Sequence, residues 1–233
     1  MKKIVSVILP TFNERENIKE VIDSALYHIK HPVEILVVDD DSKDKTWQYV
    51  QDLEYKNVRV LRRMKNPGIA ASIGEGIEKS LGDIIVWLDA DMSHPPKHIP
   101  HLLEEIDNDY DIVIASRFVP GGKDLRSKLR IFTSYLFNLY ANILLSGVRD
   151  YDSGFIAVNK KVFDKVKFPG EGYGYYFIKF VYECKKNGFK IKEIPFVNVD
   201  REKGVSKTAD SFFKLLKWGF IYGKEVWKIK FGR

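Results

Sequence analysis

The chain has 233 residues, of which 45% are hydrophobic and 30% are charged, which indicates a folded globular protein with one sizeable core. Its formal net charge of +6 is compatible with an anionic partner, whether a nucleotide, a nucleic acid or a membrane surface. The single cysteine, Cys184, excludes an internal disulfide framework and a cysteine-rich zinc site, and it is compatible with a reducing cytosolic setting.

The lysines and arginines are spread along most of the chain, and no RNA-binding or zinc-finger spacing occurs. Nucleic acid is therefore disfavoured as a partner. The apolar stretch at the N-terminus is too short for a signal peptide and runs into a helical pattern, so it is interpreted as the first strand. The sequence shows no internal repeat, low-complexity segment or flexible interdomain linker.

Strand-like apolar runs alternate with amphipathic segments along the first half of the chain. The predicted strands are residues 4–9, 33–38, 58–61, 84–88 and 111–116. The predicted helices are residues 15–30, 45–55, 70–80 and 96–108. This alternation predicts an α/β fold with a mostly parallel sheet covered by helices on both faces. In such folds the functional groups lie on loops at the carboxyl ends of the strands.

Polar residues follow the first two predicted strands. These loops read PTFNE at 10–14 and DDDS at 39–42. An aromatic ring such as Phe12 can stack on a nucleobase, and Glu14 or Asp40 can accept hydrogen bonds from base N–H groups or sugar hydroxyls. Asn13 and Ser42 are interpreted as helix caps. Three adjacent aspartates repel one another, which argues against an uncompensated structural role for that run.

Two carboxylates follow the fourth predicted strand. Asp89 and Asp91 are separated by one residue and lie between the apolar run 84–88 and a Pro-Pro break at 95–96. This spacing lets both side chains reach one hard cation, and Mg²⁺ or Mn²⁺ prefers such oxygen ligands together with diphosphate oxygens. Acids after strands also cap helices or stay solvated, so the short motif needs support from others. Our interpretation is a sugar nucleotide held by a metal ion.

Six polar segments in all are spread over most of the chain. They are VILPTFNE at 7–14, VVDDDS at 37–42, LDADMSHPP at 88–96, SRFVPGG at 116–122, DYDSGF at 150–155 and VDREKGVSK at 199–207. Together they resemble the dolichyl-phosphate mannose synthase branch of the family 2, GT-A-fold glycosyltransferases. Six motifs in family order are far more specific than one, so the chain is identified as a member of that family.

The resemblance implies a GT-A fold and an inverting, metal-dependent hexosyltransferase. The residues it implies for the nucleotide pocket are Pro10, Phe12, Glu14, Val38, Asp40, Asp89 and Ser206. The metal shell implied for Mg²⁺ or Mn²⁺ is Asp89, Asp91 and Ser93, with Asp91 as the direct ligand. Relatives often carry glutamine at the position of Ser93, whose hydroxyl is a weaker neutral oxygen donor. His94 is interpreted as a structural residue.

Basic residues are implied around the phosphates. Arg117 and Arg130 match family positions that grip the acceptor phosphate, a role that suits arginine because its planar fork pairs with phosphate oxygens. Arg126 is interpreted as a surface arginine. A further segment resembles one that closes over the diphosphate, and its matching residues are Arg201, Ser206 and Lys207.

The implied reaction is a direct displacement at the anomeric carbon of the donor sugar, which inverts its configuration. A phosphate oxygen is already anionic near neutral pH, so such an acceptor needs no strong general base. Electrostatic stabilisation of the leaving diphosphate is expected to dominate catalysis. Asp150 matches the family's aspartate and is assigned to positioning, whereas Asp152 replaces a residue that is commonly threonine.

Two stretches predict contact with a membrane surface. Residues 131–148 carry no charge but include several polar residues, and residues 212–231 mix aromatics with lysines. The resemblance favours amphipathic interfacial helices near 127–147 and 211–230 over a membrane span, although the second aromatic face could also pack on the catalytic domain. We expect one GT-A domain over residues 1–233, cytoplasmic and peripherally associated with the cytoplasmic face of a membrane.

The predicted function is inverting transfer of a hexose, with GDP-mannose favoured as donor, to polyprenyl or dolichyl phosphate. A UDP-sugar donor is the alternative, because the predicted pocket residues do not distinguish guanine from uracil. A non-catalytic sugar-nucleotide-binding protein could keep the same crevice. A receiver domain is disfavoured because its acid pair follows the first strand, and a dinucleotide oxidoreductase because no glycine-rich turn follows that strand here.

Overall fold

The structure is a computed structural model that describes residues 3–200 and 212–232, without the side chains of residues 212–216. Its strands are β1 (Val5–Thr11), β2 (Val33–Asp39), β3 (Val58–Arg62), β4 (Ile84–Trp87), β5 (Ile112–Ser116), β6 (Lys123–Asp124), β7 (Ile156–Asn159), β8 (Ile191–Pro195) and β9 (Val197–Asn198). Its α-helices are α1 (Ile18–His28), α2 (Thr46–Asp52), α3 (Ile69–Lys79), α4 (Ile99–Asp107), α5 (Lys128–Leu145), α6 (Tyr175–Lys186) and α7 (Phe212–Phe231). Short 3-10 helices span Pro96–His98 and Lys160–Asp164.

The central sheet has seven strands in the order β3-β2-β1-β4-β7-β5-β8. The pairs β3–β2, β2–β1, β1–β4 and β5–β8 are parallel, whereas β7 is antiparallel to both of its neighbours, β4 and β5. The strands β6 and β9 form a separate two-stranded sheet. The prediction of a mostly parallel sheet is confirmed, and the five predicted strands are present. The sequence predicted no strand after residue 116, so β6 to β9 are additions from the structure.

The core lies on both faces of the sheet because successive side chains of a strand point to opposite faces. In β1, Val7 and Leu9 pack in the cluster under α1, α2 and α4, whereas Ile8 packs in the cluster under α3, α5, α6 and α7. The helix α1 buries Ile18, Val21, Ile22 and Ala25, which follow the spacing of one helical face. Helices therefore cover both faces, as the alternating pattern predicted.

The predicted helices extend beyond the observed α-helices at most of their ends. Residues 15–17 form a turn, in which the Asn17 N–H donates to the Glu14 carbonyl at 3.0 Å, before α1 begins at Ile18. The predicted helix at 96–108 begins as a 3-10 turn and continues as α4 from Ile99. Only the end turns differ, since the apolar spacing fixes the middle of a helix better than its ends.

A close approach between α3 and β1 depends on Gly76. A Cβ atom at this position would lie 2.6 Å from Cγ2 of Ile8, which is fully buried. A Cβ atom at Gly74, two residues earlier in the same helix, would lie 3.6 Å from the Phe168 ring, an ordinary contact distance. The helix therefore needs a glycine at position 76 and not at position 74.

We predict that Gly76→Ala destabilises the fold by about 1–3 kcal/mol, because the added methyl group overpacks a filled site. Gly74→Ala is the matched control and should be neutral or stabilising by up to about 1 kcal/mol, since alanine is the better helix former. Urea unfolding of both variants measures the difference. Equal unfolding free energies for the two variants would contradict this account of the α3–β1 contact.

Candidate active site

A cavity of about 690 Å³ opens at the carboxyl edge of the parallel strands. The loops after β1, β2, β4 and β5 contribute to its lining, as do residues 152–154 before β7 and parts of α3, α5, α6 and α7. This is where open α/β sheets bind ligands, and it is the edge at which the sequence placed the polar motifs.

One end of the cavity contains residues predicted for the nucleotide. Pro10, Phe12 and Glu14 all line it, and the Phe12 ring is exposed to it. Glu14 is buried, and one of its carboxylate oxygens accepts a hydrogen bond from Asn17 Nδ2 at 2.9 Å. Val38 does not line the cavity, because its side chain points into the core and is fully buried. Its predicted contact with the nucleotide is therefore not supported by this geometry.

The three consecutive aspartates have separate partners. Asp39 is buried and accepts hydrogen bonds from the Ser42 amide and hydroxyl at 2.8 and 2.6 Å. Asp41 is exposed and lies 2.6 Å from an Arg62 nitrogen. Asp40 lines the cavity and is paired with Arg63. The charges of this run are therefore compensated, because each carboxylate has its own donors or cationic partner.

Asn13 and Ser42 do not cap helices, contrary to the sequence interpretation. The residues preceding α1 and α2 are Asn17 and Lys45. Ser42 Oγ instead accepts from the Asn13 amide at 2.8 Å, and Asn13 Oδ1 accepts from the Lys43 amide at 2.9 Å. These bonds tie the loop after β1 to the loop after β2, so they hold two walls of the cavity together.

Asp89 and Asp91 both line the cavity at the end of β4. Asp91 is largely buried, and its Oδ1 accepts from the Ser93 amide at 3.0 Å and from the Ser93 hydroxyl at 2.6 Å. The described part of the chain contains no cluster of three or more His, Cys, Asp or Glu side chains suited to a metal. Two carboxylates fit Mg²⁺ or Mn²⁺, which is commonly held by one or two protein carboxylates and completed by phosphate oxygens and water.

His94 supports this loop from inside the protein. Its Nδ1 accepts a hydrogen bond from the Asp89 amide at 3.1 Å, and its ring stacks on Phe155 with ring centroids 5.5 Å apart. Burial lowers the pKa of His94 to about 4, so the ring stays neutral and Nδ1 can accept at neutral pH. These contacts agree with the structural interpretation of His94, although its side chain also lines the cavity.

Arg117 and Asp150 form a buried ion pair. Arg117 Nε and Nη2 lie 2.9 and 2.6 Å from the two Asp150 oxygens, and the side chains are 3% and 0% exposed. Burial alone would lower the pKa of Arg117, but Asp150 beside it raises the pKa above its usual value. Arg117 Nη2 also donates to the Asp152 carbonyl at 3.0 Å. The pair thus fixes the loop after β5 to the loop before β7, and phosphate binding by Arg117 remains a prediction.

Arg126 is not a surface residue, so that interpretation was wrong. Its side chain is 16% exposed, lines the cavity and donates to Asp124 through Nε and Nη2 at 2.9 and 2.6 Å. Arg130, in the first turn of α5, lines the cavity and donates to Asp200 at 2.9 Å. Burial, followed by the nearby Arg126 charge, lowers the pKa of Arg130.

An aromatic wall that the sequence analysis did not identify completes the cavity. Phe137, Tyr173, Trp218 and Tyr222 line it, and the Trp218 ring lies 5.0 Å from Tyr173 and 5.9 Å from Tyr222. Gly174 allows this packing, because a Cβ atom there would lie 1.9 Å from the Tyr222 hydroxyl. The remaining predicted residues, Arg201, Ser206 and Lys207, lie outside the described residues.

Comparisons with known proteins agree with this geometry. Residues 6–167 match the model of glycosyl transferase family 2. The dolichol-phosphate mannosyltransferase of Pyrococcus furiosus is 38% identical, covering 92% of this chain, which spans 64% of that relative. The polyprenol monophosphomannose synthase of Mycolicibacterium smegmatis is 34% identical, covering 91% of this chain and 86% of the relative. The undecaprenyl-phosphate mannosyltransferase of Micrococcus luteus is 31% identical, covering 98% and 99% respectively.

Solved structures confirm the predicted fold. Glucosyl-3-phosphoglycerate synthase from Mycobacterium tuberculosis, crystallised with Mn²⁺, UDP and glucosyl-3-phosphoglycerate, superimposes with a TM-score of 0.71 at 19% identity. The alignment covers 97% of this chain and 78% of that one. A second crystal of that enzyme, with Mn²⁺, UDP-glucose and phosphoglyceric acid, gives a TM-score of 0.72.

We predict that Asp150→Asn destabilises the protein by about 3 kcal/mol, because it removes the closest counter-charge of the buried Arg117 and leaves only Asp152 and Asp124, at 3.5 and 3.7 Å, among the described residues. The double variant Arg117→Met with Asp150→Asn should recover part of that loss, since no unpaired charge remains. The exposed pair Arg62–Asp41 offers the control, and Asp41→Asn should cost less than about 1 kcal/mol. Unfolding in urea measures all three, and a cost for Asp150→Asn as small as that of the control would refute the structural role.

Proposed function

The chain belongs to glycosyltransferase family 2, and we propose that it transfers a hexose, with mannose favoured, from a nucleotide sugar to the phosphate of a polyprenyl lipid. The predicted enzyme class is confirmed by the family match. The names of the three curated relatives combine mannose with dolichol, polyprenol or undecaprenyl phosphate. Because the chain spans only 64% of the first of them, the activity of the whole protein is part of the proposal.

The observation that carries the proposal is the order of chemical groups within one cavity. Phe12 and Asp40 lie in the loops after β1 and β2, and the Asp89–Asp91 carboxylates follow β4. Arg126 and Arg130 lie near the start of α5, and aromatic side chains of α5 and α7 complete the wall. A nucleotide sugar and a lipid phosphate together need four kinds of surface. These are a ring that stacks on the base, carboxylates that bind a cation, basic groups that bind phosphate, and an apolar surface for the lipid.

For the donor, we assign the base and ribose to Pro10, Phe12, Glu14 and Asp40, and the diphosphate to the Asp89–Asp91 end. A Mg²⁺ or Mn²⁺ ion held by Asp89 and Asp91 would neutralise negative charge on the diphosphate. Ser93 orients Asp91 through two hydrogen bonds, and we keep it as a supporting ligand. GDP-mannose is the favoured donor, and a UDP-sugar is the alternative, supported by the UDP and UDP-glucose complexes of the structural neighbour.

For the reaction, we propose that an acceptor phosphate oxygen attacks the anomeric carbon of the donor sugar. A new carbon–oxygen bond forms there as the bond to the β-phosphate oxygen breaks, and the leaving nucleoside diphosphate takes the electron pair. The acceptor oxygen is anionic near neutral pH, so no proton has to be removed. The protein's contribution is to align the two phosphates and to hold charges where negative charge develops.

For the acceptor phosphate, Arg126 and Arg130 are the arginines best placed. Both line the cavity, and among the described residues Arg126 is paired with Asp124 and Arg130 with Asp200. Arg117 has its Nε and Nη2 donors on Asp150, so we propose that it orients this region and contributes its charge. Arg201, Ser206 and Lys207 remain proposed contacts of the diphosphate on the basis of the motif alone.

The helix α5 presents a different surface on its outer side. Leu129, Phe132, Leu136, Leu139 and Ile143 follow one another at steps of three and four residues and are 43% to 73% exposed. The helix α7 packs against α5 and exposes Phe220, Trp227 and Phe231. Among the described residues, no helix has the length and hydrophobicity of a membrane span. We propose that these helices rest on the cytoplasmic face of a membrane, which brings the cavity to its lipid acceptor.

Our first prediction for this activity uses purified protein, Mn²⁺ or Mg²⁺, polyprenyl phosphate and radiolabelled GDP-mannose, UDP-glucose and UDP-N-acetylglucosamine. We expect label to enter the lipid phase with one of the three donors, and we favour GDP-mannose as that donor. Asp91→Asn should lower kcat/KM by at least about 100-fold, because a cation-binding carboxylate is lost. Leu81→Ala, at an exposed site outside the cavity lining, is the control and should transfer normally. No transfer from any donor would refute the proposal.

The membrane prediction compares exposed apolar side chains on α5 with an exposed aromatic side chain on α1. Phe132→Ser with Ile143→Ser should lower the fraction of protein that sediments with phosphatidylglycerol vesicles about tenfold, because two apolar groups leave the interface. Tyr27→Ser on α1 is the matched control, since Tyr27 is 74% exposed and Ile143 is 73% exposed. Unchanged sedimentation of the double variant, or equal loss in the control, would contradict the assigned membrane face.

A further inference from the structure

Arg63 carries a buried charge and has no role in the proposed mechanism. It directly follows β3, its amide donates to the Asp39 carbonyl at 2.7 Å, and its side chain is only 6% exposed. The residue is not part of the cavity lining. A buried arginine needs hydrogen-bond acceptors for its five N–H donors. The groups that accept from Arg63 therefore show what it holds in place.

Those partners are on three different elements. Arg63 Nη1 donates to Asp40 at the end of β2 and, at 2.7 Å, to Ser72 Oγ on α3. Arg63 Nη2 donates to the Asn66 carbonyl at 2.8 Å, and Nε donates to Glu75 at 2.8 Å. Asp40, Ser72 and the segment 67–69 that follows Asn66 all line the cavity. One side chain thus assembles a continuous part of the cavity wall.

The carboxylate of Asp40 is held on both oxygens. Its Oδ1 accepts from Arg63 and, at 2.9 Å, from Ser72 Oγ, while its Oδ2 accepts from the Gly68 amide at 2.6 Å. Gly68 has φ +148°, a conformation that suits glycine and turns its amide toward Asp40. A side chain fixed in this way loses little conformational entropy when it accepts a further hydrogen bond from a ligand.

We propose that Arg63 is a positioning residue that sets the affinity for the donor nucleotide, by holding Asp40 and the 67–72 segment in the geometry that receives the base. The inference rests on the proposed function, which assigns the base to Asp40. Arg63 acts through these neighbours and does not touch the ligand. Its planar fork is required because lysine offers one ammonium group, which cannot reach Asp40, Ser72 and the Asn66 carbonyl together.

The test is titration calorimetry of the full chain with GDP and with UDP in the presence of Mn²⁺, which measures nucleotide binding without sugar or lipid. Arg63→Lys should weaken the better-bound nucleotide by about tenfold or more, because the hydrogen bonds that orient a charged group are lost. In transfer assays KM for the donor should rise, while kcat should stay within about threefold of the wild type. Circular dichroism and melting confirm that the variant is folded.

Two matched controls separate positioning from general stabilisation. Arg62→Lys alters the adjacent arginine, which is paired with the neighbouring aspartate Asp41 at the surface. Glu75→Gln removes the other carboxylate partner of Arg63, which is 41% exposed and outside the cavity lining. Both controls should bind nucleotide within about twofold of the wild type, since exposed ion pairs contribute little.

A double-mutant cycle with Asp40 tests the route of the effect. In an Asp40→Asn background, Arg63→Lys should cause a clearly smaller loss of affinity than in the wild type, because one of the groups that Arg63 holds has already been altered. Independent, multiplicative losses would overturn the inference, as would normal nucleotide binding by Arg63→Lys or equal losses in the controls. Failure of the wild-type protein to bind either nucleotide would instead overturn the proposed function, and the inference with it.

Discussion

The structure depends on a single constraint, which is that charge buried at the carboxyl edge of the sheet must be paired. Two arginines satisfy it: Arg117 with Asp150, and Arg63 with Asp40. An unpaired charge in this environment would be strongly destabilising, so each pair fixes the relative position of the loops that carry its partners. The cavity therefore has rigid walls on both sides of the Asp89–Asp91 carboxylates, where the proposed chemistry takes place.

The reversed strand β7 explains how a late segment joins this edge. Loops that follow parallel strands lie at the carboxyl edge, but β7 is antiparallel to β4 and β5, so the loop that precedes it lies there instead. That loop supplies Asp150 and Asp152, which meet Arg117 from the loop after β5. The helix α5 contributes to two surfaces. Its inner face lines the cavity with Arg130 and Phe137, and its outer face exposes an apolar stripe.

Sequence reasoning succeeded where a residue's role follows from its own strand or loop. The apolar runs located β1 to β5, and the motif order indicated the family, which fixed the edge at which Phe12, Asp40, Asp89 and Asp91 lie. It failed where the role depends on a distant partner. The aspartate run gave no indication of its partners, and Asp40 is paired with Arg63, which is 23 residues away. Arg126 was assigned to the surface, yet it lines the cavity together with residues of α6 and α7 that are distant in sequence.

The sequence by itself determined the alternation of strands and helices, the family and the edge of the sheet that carries the polar motifs, because periodicity and short motifs are local properties of the chain. The tertiary structure decided which carboxylates form ion pairs with arginines, where the antiparallel strand β7 is inserted in the sheet, and which aromatic side chains line the cavity. Those features depend on contacts between residues far apart in sequence. A buried ion pair or an aromatic wall exists only once packing has brought its members together and removed water from between them.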